Sequence, residues 1–340
     1  MIVKNEETVI GRCLDSVKGI FDEIIIVDTG SVDKTKEICK KYTEKIYDFI
    51  WNDDFSAARN FAFSKGNCDY LCWLDADDII ENEDAMKIID MKQKLNQADT
   101  FMMKYVVSEN NDGTSNFEFY RERIVKNCSK AVFHGFIHEC IVPFGKIEYC
   151  DIKIKHRKLK IGDPERNLKI YLKHKAKGTP FDARSTYYFA KEYFYLKKYN
   201  ECKRLLYEFL SMKNKYVADV KDSLITLYRC SYFSGNPSPE YLYSVLKEVG
   251  GDAETLTLLG EYYFDRKDYK RAETFLKFAL CVDEDISVGF VFKPYYHLYP
   301  TIDLLKLYDE TKDYDKFTKL LSAAKERYPE INVYSEKNIL

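Results

Sequence analysis

The sequence predicts an α/β domain, a mostly parallel twisted sheet with helices on both faces, followed by an all-α domain of helical repeats. Three observations lead there. Through the first hundred residues, short apolar runs alternate with amphipathic stretches, the pattern of strands joined by right-handed helical crossovers. From Thr100 to about His156 the runs lengthen into "TFMMKYVVSE" and "NFEFYRERIVK". Beyond about Pro164 the strand signal ceases and one helical spacing recurs. The domain bounds that follow are 1–160 for the sheet, 161–182 for a basic linker helix and 183–340 for the repeats.

Taken in order, strands are expected at 1–3, 23–27, 45–49 and 70–74. Helices are expected at 9–17, 34–42 and 56–64, where apolar residues fall three or four apart, and again at 84–96. The runs after Thr100 should extend the sheet in antiparallel or mixed fashion, and the Asp-Gly of the intervening "NNDGTSN" marks a tight turn. In the helical half, Gly260, Tyr263, Ala272, Leu276 and Ala279 stand at offsets 0, 3, 12, 16 and 19. Ala190, Tyr193, Cys202, Leu206 and Phe209 show the same offsets 70 residues earlier. Tyr308, Phe317, Leu321 and Ala324 repeat them in part, with Pro329 beyond, and a worn copy broken by "GNPSP" fits at 224–249. This spacing resembles the tetratricopeptide repeat, whose helix pairs bury a core only by stacking.

Composition narrows the function classes. With 46% hydrophobic and 32% charged residues, the chain has a full core and a solvated surface. Its formal charge of −2 creates no field that would draw nucleic acid or a membrane. No apolar run reaches bilayer length, and the N-terminus has no signal-peptide layout. The ten cysteines lack paired spacing, and Cys68 and Cys72 have no second pair to complete a zinc site. A cytoplasmic protein with buried thiols is therefore expected.

The stretch "YLCWLDADDII" ends an apolar run in Asp75, Asp77 and Asp78. Packing gains nothing from three carboxylates there, so they either cap the next helix, as Asp78 is placed to do, or hold a cation. A pair of acids two residues apart suits Mn²⁺ or Mg²⁺ with phosphate oxygens completing the shell. Three further stretches also sit at ends of expected parallel strands, where one crevice collects ligands. "MIVKNEE" offers Asn5 and Glu6 after the first strand. "IVDTGSVDKT" offers Asp28, then Gly30, with Ser31 or Asp33 as helix cap. "NDDFSAARNFA" sets Asp54 and Arg59 at a helix start, and Arg59 can serve either phosphates or a surface ion pair.

Together "MIVKNEE", "VDTGSVDKT", "DDFSAARNFA" and "WLDADD" closely resemble the family 2 glycosyltransferases of GT-A fold. More narrowly, the chain is similar to the branch with C-terminal tetratricopeptide repeats, which includes bacterial peptide S-glycosyltransferases. The resemblance implies a nucleotide-sugar donor, with Asp28 on the uracil of a UDP-sugar and Val3 and Asn5 lining the same pocket. It implies Arg59 near the diphosphate, and Asp75 and Asp77 as the family's Asp-x-Asp, Asp77 being the direct metal ligand. The family's acceptor-side base falls in "FHGFIHECIVPF", so Glu139 is the expected base, with His138 and His134 as rivals. His156, which ends "IKIKH", is the expected third metal ligand. His174 and His297 lie in helical territory and are assigned no chemistry.

Two other classes fit the sequence less well. A sugar-nucleotidyltransferase would carry a Gly-rich basic loop after its first strand, which "MIVKNEETVIGR" lacks. A non-catalytic repeat scaffold gains nothing from Asp75 and Asp77. A repeat arm suits an extended peptide or protein acceptor with a Ser, Thr or Cys nucleophile. The same arm can instead make a homodimer, leaving a polysaccharide or glycolipid precursor as acceptor.

Overall fold

The structure, a computed structural model, describes residues 1–110, 113–159, 162–283, 291–328 and 331. It divides into two compact units, 1–180 and 181–340. Among the described residues no helix is long and apolar enough to cross a membrane.

The first unit opens as expected. Strands β1 (Ile2–Val3), β2 (Ile26–Asp28) and β3 (Ile46–Asp48) form a parallel sheet in that order, with Val3 beside Asp28 and Asp28 beside Asp48. Helices α1 (Ile10–Ser16), α2 (Thr35–Cys39) and α3 (Phe55–Phe63) make the crossovers. Ile10, Cys13 and Leu14 of α1 are buried, the spacing of one helix face. Cys13 and Cys39 act as small core residues, and all ten thiols are free.

The rest is a mixed sheet. β4 (Tyr70–Cys72) was expected to continue the parallel set, but it pairs antiparallel with β7 (Ser115–Lys126), Leu71 opposite Val125. A short apolar run is equally at home in either orientation, so sequence pattern does not decide the direction of its partner. β6 (Thr100–Glu109) and β7 form an antiparallel hairpin. Asn111 and Asp112 of the expected turn lie outside the described residues. β10 (Ile147–His156) runs parallel to β6 and antiparallel to the short β5 (Asp78–Ile79). Leu74, Ile80, Phe101, Met103, Ile124, Ile152 and Ile154 meet in the core beneath. Helix α4 (Asn82–Lys92), the two-residue strands β8 (Phe133–His134) and β9 (Cys140–Ile141), and helix α5 (Arg166–Ala176) complete the unit.

The second unit is a row of helix pairs: α6 (Ala183–Tyr195) with α7 (Tyr199–Ser211), α8 (Val217–Phe233) with α9 (Glu240–Glu248), α10 (Ala253–Asp265) with α11 (Tyr269–Ala279), and α12 (Leu298–Glu310) with α13 (Tyr314–Arg327). The worn copy is α8–α9, with "GNPSP" as its turn. Equivalence shows in the turns as well as the offsets. Lys197, Lys267 and Lys312 each follow the first helix of a pair at φ of 57°, 59° and 59°. Asp268 and Asp313 each cap the second helix by accepting the N–H three residues on. Ala190, Cys202, Leu206, Phe209, Ala272, Leu276 and Ala279 are fully buried. Gly260 is required by close packing, because a Cβ there would lie 2.6 Å from the Leu276 side chain. Pro329 lies outside the described residues.

Candidate active site

The ends of β1 and β2 are laced together by their turns. Asn5, held at φ 56°, donates its N–H to Ser31 Oγ at 2.9 Å and accepts the Val32 N–H on Oδ1 at 2.8 Å. Glu6 donates its N–H to Thr35 Oγ1 at 2.7 Å. Of the two cap candidates, Asp33 accepts the Thr35 N–H at the start of α2, whereas Ser31 serves Asn5. Gly30 turns at φ 101°, a conformation that favours glycine. Asp28 is 2% exposed. Its Oδ2 accepts the N–H groups of Gly30 and Ser31 at 3.1 and 2.9 Å, and its buried Oδ1 has no hydrogen-bond partner. Val3 is buried beside it.

The acidic stretch divides its labour. Of the two alternatives for Asp78, the helix cap is not what the structure shows: it sits in β5, and α4 begins at Asn82 with no side-chain cap. Instead Asp78 is fully buried, accepting from Arg123 Nη1 at 3.1 Å and from the Tyr105 hydroxyl at 2.9 Å. Arg123, itself fully buried, lies between the rings of Trp73 and Tyr105, 3.9 and 4.3 Å from their centroids. The β10–β5 register sets His156 opposite Asp78. As a result His156 Nδ1 stands 3.4 Å from both Asp77 Oδ1 and Asp78 Oδ1, and 2.8 Å from the Tyr105 hydroxyl. One ligand atom from each of Asp77, Asp78 and His156 falls within 4.8 Å of the others, a cluster able to hold a metal ion. Two carboxylates and an imidazole suit a hard or borderline divalent cation.

Burial raises the Asp77 carboxyl, the charges of Asp75 and Asp78 adding to it and His156 opposing. Burial alone would lower His156, but the hydrogen bond to Asp78 and the neighbouring carboxylates outweigh it and raise the imidazole above its usual value. The site thus concentrates negative charge around one ring nitrogen.

Asp75 faces the other way. Its Oδ1 accepts from Arg59 Nη2 at 2.6 Å, while Arg59 Nε donates to Glu139 Oε1 at 2.5 Å. Burial pushes the Asp75 carboxyl up, yet Arg59 and Arg123 prevail and hold it at about 2. Arg59 is 7% exposed and lies over Trp73 and Phe133. It is therefore a buried bridge between two expected site acids rather than a surface ion pair. Asp54, expected among the nucleotide ligands, caps α3 by accepting the Ala57 N–H at 2.9 Å. The segment bearing Glu139 is tied to α3, since Phe133 and Asn60 exchange hydrogen bonds at 2.8 and 3.0 Å. Within it His134 is exposed and His138 turns at φ 51°.

The structure thus groups Asp75 with Arg59 and Glu139, and Asp77 with His156. Sequence reasoning missed Asp78 as a cluster member and the Tyr105–Arg123 support beneath it. The available signal was Arg123 itself, a charge inside the apolar end of "RERIVK".

Residues 1–145 match the family model for glycosyl transferase family 2. The SPbeta prophage-derived glycosyltransferase SunS of Bacillus subtilis is 32% identical over 148 residues, 41% of this chain and 33% of that protein. Glycosyltransferase GlyA of Streptococcus pneumoniae is 31% identical over 140 residues, 37% of this chain and 20% of that one. A TPR repeat-containing protein of Synechococcus elongatus is 46% identical over 78 residues, 23% of this chain and 19% of that protein. The chain spans between about a fifth and two fifths of the length of the curated relatives it matches. A solved structure of Pseudomonas aeruginosa PilF is similar over 50% of this chain and 72% of its own at 17% identity, and its TM-score of 0.38 is too low to add to the helix pairs themselves. The likeness to family 2 glycosyltransferases thus covers residues 1–145, and the chain continues into tetratricopeptide-like helix pairs.

Proposed function

We propose that the protein is a metal-dependent, inverting glycosyltransferase that moves a hexose from a UDP-sugar to a Ser, Thr or Cys side chain of a peptide or protein. The observation that carries the donor assignment is Asp28. A carboxylate oxygen buried without a partner costs about 1–3 kcal/mol, and the imide N–H of a uracil at the end of β2 supplies that partner. Asp77, Asp78 and His156 would hold Mn²⁺ or Mg²⁺, which when bound offsets the charge of the departing diphosphate. Glu139 takes the proton of the acceptor as the acceptor's oxygen or sulfur bonds to the anomeric carbon from the face opposite UDP. Arg59 keeps Glu139 and Asp75 in fixed relation. The peptide acceptor is supported by the resemblance to the repeat-bearing branch and by the stacked helix pairs, a form suited to extended chains.

The test is nucleotide release from a panel of UDP- and GDP-hexoses with Mn²⁺, read against Mn²⁺-free controls. The expected result is metal-dependent UDP release from one UDP-hexose, slowed at least about tenfold in Glu139→Gln. Release from GDP-hexoses alone, or equal release in Glu139→Gln, overturns the donor or the base assignment respectively.

A further inference from the structure

We infer that His174 is a positioning residue: it fixes the 133–141 segment, and with it the Glu139 carboxylate, by clamping Phe136. The inference rests on the reading of Glu139 as the base. Sequence reasoning assigned His174 nothing, and it lies on α5, the helix that follows β10.

The contacts are specific. The imidazole lies flat on the Phe136 ring, with centroids 3.9 Å apart and planes 11° from parallel. Tyr171, one turn earlier on α5, meets the same ring edge-on at 5.2 Å. Phe136 is thereby held on two sides by one helix. His174 Nε2 stands 3.0 Å from the Asp53 carbonyl, so it donates, and Nδ1 is left to accept from the Thr179 hydroxyl at 3.3 Å. Lys173 meets both Asp53 carboxylate oxygens at 3.0 Å. Asp53 is itself at φ 65°, a left-handed conformation that non-glycine residues keep only when their surroundings enforce it.

These contacts converge on the geometry of Arg59 and Glu139. Asp53 immediately precedes the cap of α3, the helix that presents Arg59. The Phe136 carbonyl accepts the Phe55 N–H at 2.8 Å, at the first residue of that helix. Gly135, at φ 91°, brings the segment back on itself: a Cβ there would lie 3.8 Å from Glu139 Cα. The turn at Gly135 thus folds the backbone beside Phe136 close to the backbone of Glu139. α5 pins both partners of the Arg59–Glu139 pair, one through Asp53 and the other through Phe136. A residue that only filled space would need neither the parallel stack nor the bond to Asp53.

The experiment is hydrogen–deuterium exchange on the full chain, with His174→Ala compared to wild type, alongside hydrolysis of the active UDP-hexose in Mn²⁺. Exchange across 133–141 should rise at least about tenfold while β1–β3 stay within about twofold. Hydrolysis should slow at least about tenfold with an unchanged Kd for UDP, since only the base side moves. His174→Phe, which keeps the stack, should return 133–141 to within about threefold of wild type. His174→Gln carries the expectation of His174→Ala if the alanine variant does not fold. Unchanged exchange at 133–141, loosening spread equally through β1–β3, or loosened 133–141 with undiminished hydrolysis overturns the inference. A wild type that neither binds UDP nor hydrolyses any donor overturns the functional reading instead, and the exchange result still decides whether α5 holds the segment.

Discussion

Replacing Arg59 by alanine tests whether one guanidinium holds the two halves of the site together. Arg59 is 7% exposed and bonds Asp75 at 2.6 Å and Glu139 at 2.5 Å. Its removal strands two carboxylates, one with its side chain 32% exposed and the other 11%. The Asp75 carboxyl lies at about 2 instead of 3.8, which converts to about 2 kcal/mol before a discount for its partial solvation. The more deeply buried Glu139 and the lost stacking on Trp73 bring the total to about 3 kcal/mol. Urea unfolding followed by tryptophan fluorescence reports on the first unit, because both tryptophans, Trp51 and Trp73, lie in it. The sign of the pH dependence is distinctive. A depressed carboxyl stabilises the wild type above about pH 4 and loses that contribution as pH falls through about 2. In Arg59→Ala the stranded Asp75 is relieved by protonation, so the gap to wild type should narrow between pH 7 and about 4.5. Adding Glu139→Gln to Arg59→Ala should restore part of the loss at pH 7. A gap below about 1 kcal/mol, or one independent of pH, would refute the bridge.

Other expectations follow from single contacts. Asp28→Asn places an amide where the buried oxygen was, and should weaken UDP binding by about 30- to 100-fold without lowering Tm; equal affinity would remove Asp28 from the base pocket. Gly260→Ala forces a Cβ to 2.6 Å from Leu276, and should cost the second unit about 1–3 kcal/mol in urea. Unaltered unfolding there would mean the helix pair packs less closely than described. Burial pushes the Asp219 carboxyl up to about 6, against an opposing pull from Arg184. The folded state therefore binds the extra proton between about pH 4 and 6, and stability declines as pH rises through that window. Asp219→Asn should then gain up to about 3 kcal/mol at pH 7 and nothing below pH 4; a gain of equal size at both pH values would contradict this.

Much of this site is legible in the sequence because its residues punctuate strand ends. Asp28, Gly30, Asp75 and Asp77 interrupt apolar runs where a buried strand has no structural use for them, and local spacing suffices to find them. The repeat offsets are legible for the same reason, each being a contact within one helix pair. What escaped depends on pairing between distant segments. Arg59, on a helix, meets Glu139, in a loop, across 80 residues, and Tyr105 meets Asp78 across 27, through strands whose register no local pattern sets. His156 reaches Asp78 only because β10 runs antiparallel to β5 in that register. The antiparallel direction of β4 was hidden because alternation reads the same both ways. His174 was passed over because its neighbours, Phe136 and Asp53, belong to other elements.

On the function proposed above, Asp77, Asp78 and His156 would hold a divalent cation beside a UDP site. Calorimetric titration of UDP into the full chain, with and without Mn²⁺, tests it most directly, with Asp77→Ala as the comparison. UDP binding should require Mn²⁺ and be lost in Asp77→Ala while the fold, by circular dichroism, is kept. UDP binding of equal strength without Mn²⁺ or in Asp77→Ala, or no UDP binding at all, would contradict it.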